Sequence, residues 1–300
     1  AVEAGCFDRR PIRGRGDAPS RPRPLTMEHL RGILQPAGSW PIALVAVIGM
    51  SAVASAPLWA DPGFLLTRGA GDSANLLFRV HQLLAAYAAG EFPARWMPDG
   101  AYGYGLPYFT YYASFSTHVA AWFKLAGFTY VVALKLAQTL ALGVGALGVW
   151  GWLTAAQAPT GRQSGNAGPL AAALAYTFAP FHLVNLYVRG DSLAELWAMA
   201  LTPLALWSVE HLRARLSFGR AAALAGLVGG LICTHNVSAL MALPFVGLYA
   251  ALRLGDTRTG RWRRWGVAGL GLAWGLAASA FFWAPALGEV GAVQLAALTN

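Results

Sequence analysis

Residues 129–153 read TYVVALKLAQTLALGVGALGVWGWL, a run with a single charge, Lys135. A helix rises about 1.5 Å per residue, so this block alone exceeds the roughly 30 Å hydrocarbon core of a bilayer. Blocks of the same kind fall at about 40–60, 109–126, 169–188, 194–210, 219–234, 236–253 and 265–287. Hydrophobic residues make up 56% of the 300-residue chain and charged ones 12%, about half of what soluble domains carry. The fold class that follows is all-α, a polytopic transmembrane helical bundle. Its 35 glycines suit close helix approach, and its 12 tryptophans suit interfacial anchoring.

The net charge of +9 does not point to nucleic acid, because the arginines sit in short loops between apolar blocks and there set topology. Seven lie in the N-terminal segment, which reads as a disordered basic stretch over residues 1–39 with a potential true start at Met27. Three more lie at 210–220 and five at 253–264. All three segments are expected on the cytoplasmic side. The long stretch 61–108, the tip Thr234-His235-Asn236, and Arg189, Asp191 and Glu195 then lie outside. Between 61–108 and 188–193 there are three apolar blocks where parity demands an even number of crossings. The block 109–126 is the most polar of the three, with Tyr111, Tyr112, Ser114, Ser116, Thr117, His118 and Lys124, and is expected to lie in the interface or re-enter. About seven spans remain, within a transmembrane domain over 40–290. Residues 291–300 read as a truncated end with a C-terminal region beyond them. Cys6 and Cys233 fall in a tail and an apolar block, so no structural disulfide is expected.

Seven of the thirteen acidic residues fall outside on this topology, as do four of the six histidines. Polar groups at a membrane are costly, which favours a functional outer face, although loops carry charge for solubility alone. Asp72, in Gly69-Ala70-Gly71-Asp72-Ser73, precedes an amphipathic run over 73–90. It suits an N-cap equally well as a general base for an acceptor hydroxyl. Arg79 follows on the same helical side, and His81 on the opposite one. The segment 91–109 is punctuated by Gly and Pro and carries Arg95, Trp96, Tyr102, Tyr104 and Tyr108, either an aromatic interface belt or a surface for a sugar and a phosphate. Ser192 and Glu195 match a capping box, which leaves Arg189 to meet phosphate oxygens. His235 is a turn residue, structural or ligand-binding, and Asn236-Val237-Ser238 matches the short glycosylation sequon. Gly226-x-x-x-Gly230 and Gly271-x-x-x-Gly275 are expected to let helices approach. No nucleotide loop, zinc spacing or Ser-His-Asp pattern stands out.

With these residues in view, the chain resembles the GT-C superfamily of membrane glycosyltransferases. Within it, the chain is most similar to the bacterial membrane proteins labelled 6-pyruvoyl-tetrahydropterin synthase-related. The resemblance covers about 40–290 and rests on one span followed by a long outer loop with Asp72 and His81. It rests also on Gly90-Glu91-Phe92-Pro93-Ala94-Arg95-Trp96, Tyr104-Gly105-Leu106-Pro107-Tyr108-Phe109, Arg189-Gly190 with Glu195, and Thr234-His235. It implies transfer of a sugar from a polyprenyl-phosphate carrier to an acceptor glycan, lipid or protein on the outer face of the bacterial cytoplasmic membrane. Asp72 would be the base. Arg79, His81, Arg95, Trp96, Tyr102, Tyr104, Tyr108, Arg189, Asp191, Glu195 and His235 would form the substrate surface. Many members carry two adjacent acids where this chain has Gly71-Asp72, so no cofactor is expected and a divalent metal lacks its acid pair. Membrane lipid is an expected partner and nucleic acid is not. The alternative class is a transporter or lipid-handling protein without covalent chemistry, against which stand the absence of a clear repeat and the charges at span ends.

Overall fold

A computed structural model of the chain describes residues 39–63, 73–157, 166–189, 192–256 and 260–292. The expectations for the N-terminal segment, for Asp72 and Asp191, and for 293–300 lie outside these. Every long element is helical: α1 (Ser39–Ala60), α2 (Ser73–Ala88), α3 (Tyr108–Tyr111), α4 (Phe115–Leu125), α5 (Tyr130–Gln157), α6 (Ala167–Thr177), α7 (Pro180–Leu183), α8 (Leu193–Ala214), α9 (Phe218–Ile232), α10 (Asn236–Gly255), α11 (Arg261–Ala278) and α12 (Ala280–Gly288). A π-turn over Val184–Val188 continues α7.

Four described segments are long and apolar enough to cross a membrane: Trp40–Ala60, Tyr130–Gln157, Ala167–Val188 and Asn236–Gly255. The pair α11–α12 joins them if its 60° bend counts as one broken span. The sequence predicts two more. α9 is apolar but has only 15 residues, about 22 Å of rise. α8 has 22 residues and carries Glu195, Glu210 and Arg213. It packs against α4, α5, α9 and α10 and buries residues around most of its circumference. Neighbouring helices stand between it and lipid, which is why it tolerates charge that a lipid-facing helix could not.

The bundle has two chemically distinct ends. At one, here the loop face, Lys135 Nζ donates to the Asp61 carbonyl at 2.5 Å, and the Tyr187 hydroxyl donates to the Ala54 carbonyl. The block 109–126 stays at this end. The Tyr111 carbonyl accepts from Asn236, the Tyr111 hydroxyl donates to the Glu289 carbonyl at 3.0 Å, and Lys124 lies over the Tyr130 ring. The block forms two short helices, α3 and α4, neither of them long enough to cross a membrane.

The opposite end holds an ion cluster that the sequence did not single out. Glu210 is 3% exposed and accepts from Arg253 Nε at 2.6 Å, Arg213 Nε at 2.8 Å and the Tyr249 hydroxyl at 2.5 Å. Trp152 donates to that same hydroxyl, and Arg253 also reaches the Ala156 carbonyl. The cluster ties α5, α8 and α10 together at this arginine face.

Of the two expected glycine motifs, Gly271-x-x-x-Gly275 lies at the contact of α9 with α11, Gly275 most tightly, and Gly226 does not. A Cβ on Gly275 would lie 2.6 Å from the Ala225 carbonyl oxygen and 2.7 Å from Val228 Cβ, while one on Gly226 would meet nothing within 4 Å. Gly275→Ala is therefore expected to cost about 1–3 kcal/mol as backbones are forced apart. Gly226→Ala should be neutral or slightly stabilising. Thermal unfolding of both variants in detergent checks this, and equal melting temperatures would contradict the contact.

Candidate functional site

The loop face is built on α2, whose apolar side is sunk into the bundle: Leu76, Val80 and Leu83 belong to the core shared with α4, α5 and α8. The same side carries Arg79. A guanidinium on that side is shielded from water and needs electron-rich neighbours, which aromatic faces supply. Arg79 is buried and lies 5.0 Å from the Tyr108 ring centroid and 4.9 Å from that of Tyr112, two rings stacked 4.9 Å apart. His81 points the other way, exposed, with Nδ1 3.2 Å from the Tyr130 hydroxyl. Arg79 and His81 thus lie on opposite sides of α2, as the helical period predicts.

The 91–109 segment is an irregular loop clamped to α2. Gln82 donates to Asp99 Oδ2 at 2.7 Å and accepts from the Asp99 amide at 2.9 Å. Glu91 Oε1 accepts from the amides of Arg95 and Trp96. Met97 and Leu106 pair backbone to backbone, and Gly105 closes the turn at φ +85°, where a Cβ would fall 2.2 Å from Trp96 Nε1. Trp96 therefore lies flat on a position that only glycine can fill. Beyond it, Ala101 and Tyr102 take left-handed backbone angles, and the rings of Tyr102 and Tyr104 stand in the open. The loop presents rings outward while its own backbone is fixed.

Arg189, Glu195 and His235 come together from three elements. Arg189 NH1 donates to Glu195 Oε2 at 2.7 Å and to Asn185 Oδ1 at 3.1 Å. The expected capping box is not formed, because Ser192 makes no side-chain cap and the Glu195 carboxylate turns to the guanidinium. A charged donor outcompetes a neutral amide for a carboxylate. His235 caps α10, accepting at Nδ1 from the Ser238 amide and hydroxyl, so the proton of the neutral ring sits on Nε2. Burial holds its pKa below the usual histidine value, Arg189 adds to that effect, and Glu195 opposes it.

A chamber of about 340 Å³, lined by none of these three residues, was not expected from the sequence. Its wall is formed by the Phe92–Arg95 turn, by Phe109, Ser114, Phe115, His118 and Trp122 of the α3–α4 strap, by Cys233, and by Phe281 and Phe282 of α12. His118 Nδ1 lies 2.7 Å from the Ser114 carbonyl, which fixes that nitrogen as the donor. Burial lowers the His118 pKa, and this hydrogen bond partly offsets the shift. Arg95 reaches the Phe281 carbonyl at 3.3 Å. Among the described residues no group of three or more His, Cys, Asp or Glu could hold a metal ion.

Both depressed histidines give a signed expectation. Each binds a proton more readily in the unfolded chain, so their contribution to stability is present above about pH 6.5 and falls as pH drops through that value. Protonation of His235 also removes the acceptor that caps α10. The melting temperature should be flat above pH 7 and decline towards pH 5, less steeply in a His118→Asn/His235→Asn variant. A melting temperature that rises on acidification would contradict the assignment.

A family model described as 6-pyruvoyl-tetrahydropterin synthase related domain, membrane protein, matches residues 109–297. That span holds the strap, the Arg189–Glu195 pair, the His235 tip and α12. No curated protein and no solved structure matches the chain.

Proposed function

Because the chain belongs to the 6-pyruvoyl-tetrahydropterin synthase-related family of membrane proteins, we propose for it one activity at its loop face: glycosyl transfer from a polyprenyl-phosphate-linked sugar to an acceptor hydroxyl. The arginine face lies in the cytoplasm and the loop face outside, as the loop arginines favour. The membrane is the bacterial cytoplasmic membrane.

The observation that carries the reading is Arg79, buried over the paired rings of Tyr108 and Tyr112 two helical turns from Asp72 in sequence. A guanidinium anchored this way is a fixed positive charge on α2, the helix that starts one residue after Asp72 in sequence. In the proposed reaction the acceptor oxygen attacks the anomeric carbon, and the bond from that carbon to the carrier phosphate breaks. The acceptor proton passes to the Asp72 carboxylate, and the charge left on the phosphate is met by arginine. Arg79, Arg95 and Arg189 supply that charge. Electrostatic stabilisation of a leaving group is worth most where water is excluded, as it is around the buried Arg79. The exposed rings of Trp96, Tyr102 and Tyr104 offer a stacking surface for the sugar, and Glu195 and His235 offer polar contacts to it.

The test is release of free polyprenyl phosphate from a panel of lipid-linked sugars by the purified chain in nanodiscs. Release from at least one donor, with a sugar appearing on an acceptor, supports the reading. No release from any donor by a folded protein would leave the transporter class standing instead.

A further inference from the structure

We propose that the 340 Å³ chamber is a binding site for the phosphate-proximal segment of an isoprenoid phosphate, with Arg95 holding the phosphate and the rings holding the chain. The proposal rests on the glycosyl-transfer reading for its choice of carrier, and adds where on this chain that carrier sits.

Three features of the chamber carry it. Its wall has six aromatic rings, from Phe92, Phe109, Phe115, Trp122, Phe281 and Phe282, which suit a flat, unsaturated chain. Its charge is one-sided: Arg95 lines it and no acid does, while the nearby Glu91 carboxylate is occupied by two backbone amides. An apolar body with one anionic end is the ligand that such a wall complements. Access is the third feature. Phe92 is 80% exposed, Trp122 56% and Phe281 54%. A mouth rimmed by exposed rings on a membrane protein opens towards lipid, whereas a water-soluble ligand would need polar groups there.

The volume sits at the lower end of what binding pockets occupy, roughly 300–1,000 Å³, and fits only the first units of a long chain. The rest of the carrier would remain in the bilayer. α12 forms the far wall. Among the described residues it has no buried residue, and it is tied across the chamber by the Arg95 bond to Phe281, with the Tyr111 bond to Glu289 just beyond its end.

Cys233 lines the chamber and gives the readout, because the chain has two cysteines and Cys6→Ser leaves one thiol. Cys233 is half-buried at the chamber wall, so its maleimide labelling can be timed by mass spectrometry. Farnesyl phosphate at about ten times its Kd should slow labelling by about tenfold. Inorganic phosphate should give no protection, and farnesol or phosphatidic acid much less than farnesyl phosphate. Arg95→Gln should bring farnesyl phosphate down to the level of farnesol. Unslowed labelling, or equal protection by phosphatidic acid, would overturn the site. The labelling is independent of turnover. Protection retained by Asp72→Asn without transfer from any donor by the parent chain sinks the transfer reading alone, and transfer with an unprotected Cys233 sinks the chamber alone.

Discussion

Glu210→Ala is expected to lower the unfolding free energy by about 3 kcal/mol, at the low end of the cost of breaking a buried ion pair. The carboxylate is 1% exposed at its side chain and receives two arginines and a tyrosine hydroxyl, so its loss strands three donors at once. The value stays at the low end because Arg253 and Arg213 are 30% and 14% exposed and can turn partly to water. In thermal unfolding this corresponds to a drop on the order of 10 °C for a chain of this size. Glu210→Gln should lose less, since an amide oxygen can still accept from Arg253 or Tyr249. Tyr249→Phe should cost least, about 1–2 kcal/mol, because it removes two hydrogen bonds, to Glu210 and from Trp152, and leaves the charges paired. If all three variants melt together with the parent, the cluster does not hold α5, α8 and α10.

Asp72→Asn is expected to reduce glycosyl transfer by about 10²–10⁴-fold, the usual contribution of a positioned general base. The substitution keeps size and shape, and asparagine is as good an N-cap as aspartate, so α2 should remain docked. Folding and transfer therefore separate. A variant with an unchanged melting temperature and lost transfer supports a proton-accepting role, and one that transfers sugar at the parent rate refutes it. Arg79→Lys makes a useful companion. Lysine retains the charge but not the flat guanidinium that lies over Tyr108 and Tyr112, so its transfer should fall while α2 stays in place.

The sequence made the blocks legible because lipid imposes a length and an apolarity that any window of residues reveals. It also predicts, through parity over the seven expected spans, that 109–126 stays on one side, and the contacts of Tyr111 and Lys124 join the ends of that block to Asn236, Glu289 and Tyr130. What it could not reveal was pairing over distance. Glu210 ends an apolar block and looks like loop charge, and only folding brings Arg253, 43 positions on, against it. The chamber was hidden for the same reason: its wall draws on four separated segments, and block 265–287 reads as one span although it bends by 60° at Ser279. Local rules failed in a different way at Ser192-x-x-Glu195. The spacing is right for a cap, but an arginine six positions before the glutamate captured the carboxylate. Lys135 was visible in plain text as the lone charge of its block, a signal that the hydropathy average smooths away.

Lys135 also bears on how the protein is made. The residue is 3% exposed within α5, and the hydrogen-bond partner of its ammonium is the Asp61 carbonyl just beyond α1. Chains enter the membrane from the N-terminus, so α1 is already in the bilayer when α5 leaves the insertion machinery. A lysine in an emerging span costs roughly 2.5–3.5 kcal/mol at the helix centre and less near an end. Here the acceptor that relieves this cost is waiting before the lysine arrives. Ribosomal order thus turns an awkward residue into a docking signal, and α5 should insert less efficiently in a reporter fusion from which α1 has been deleted.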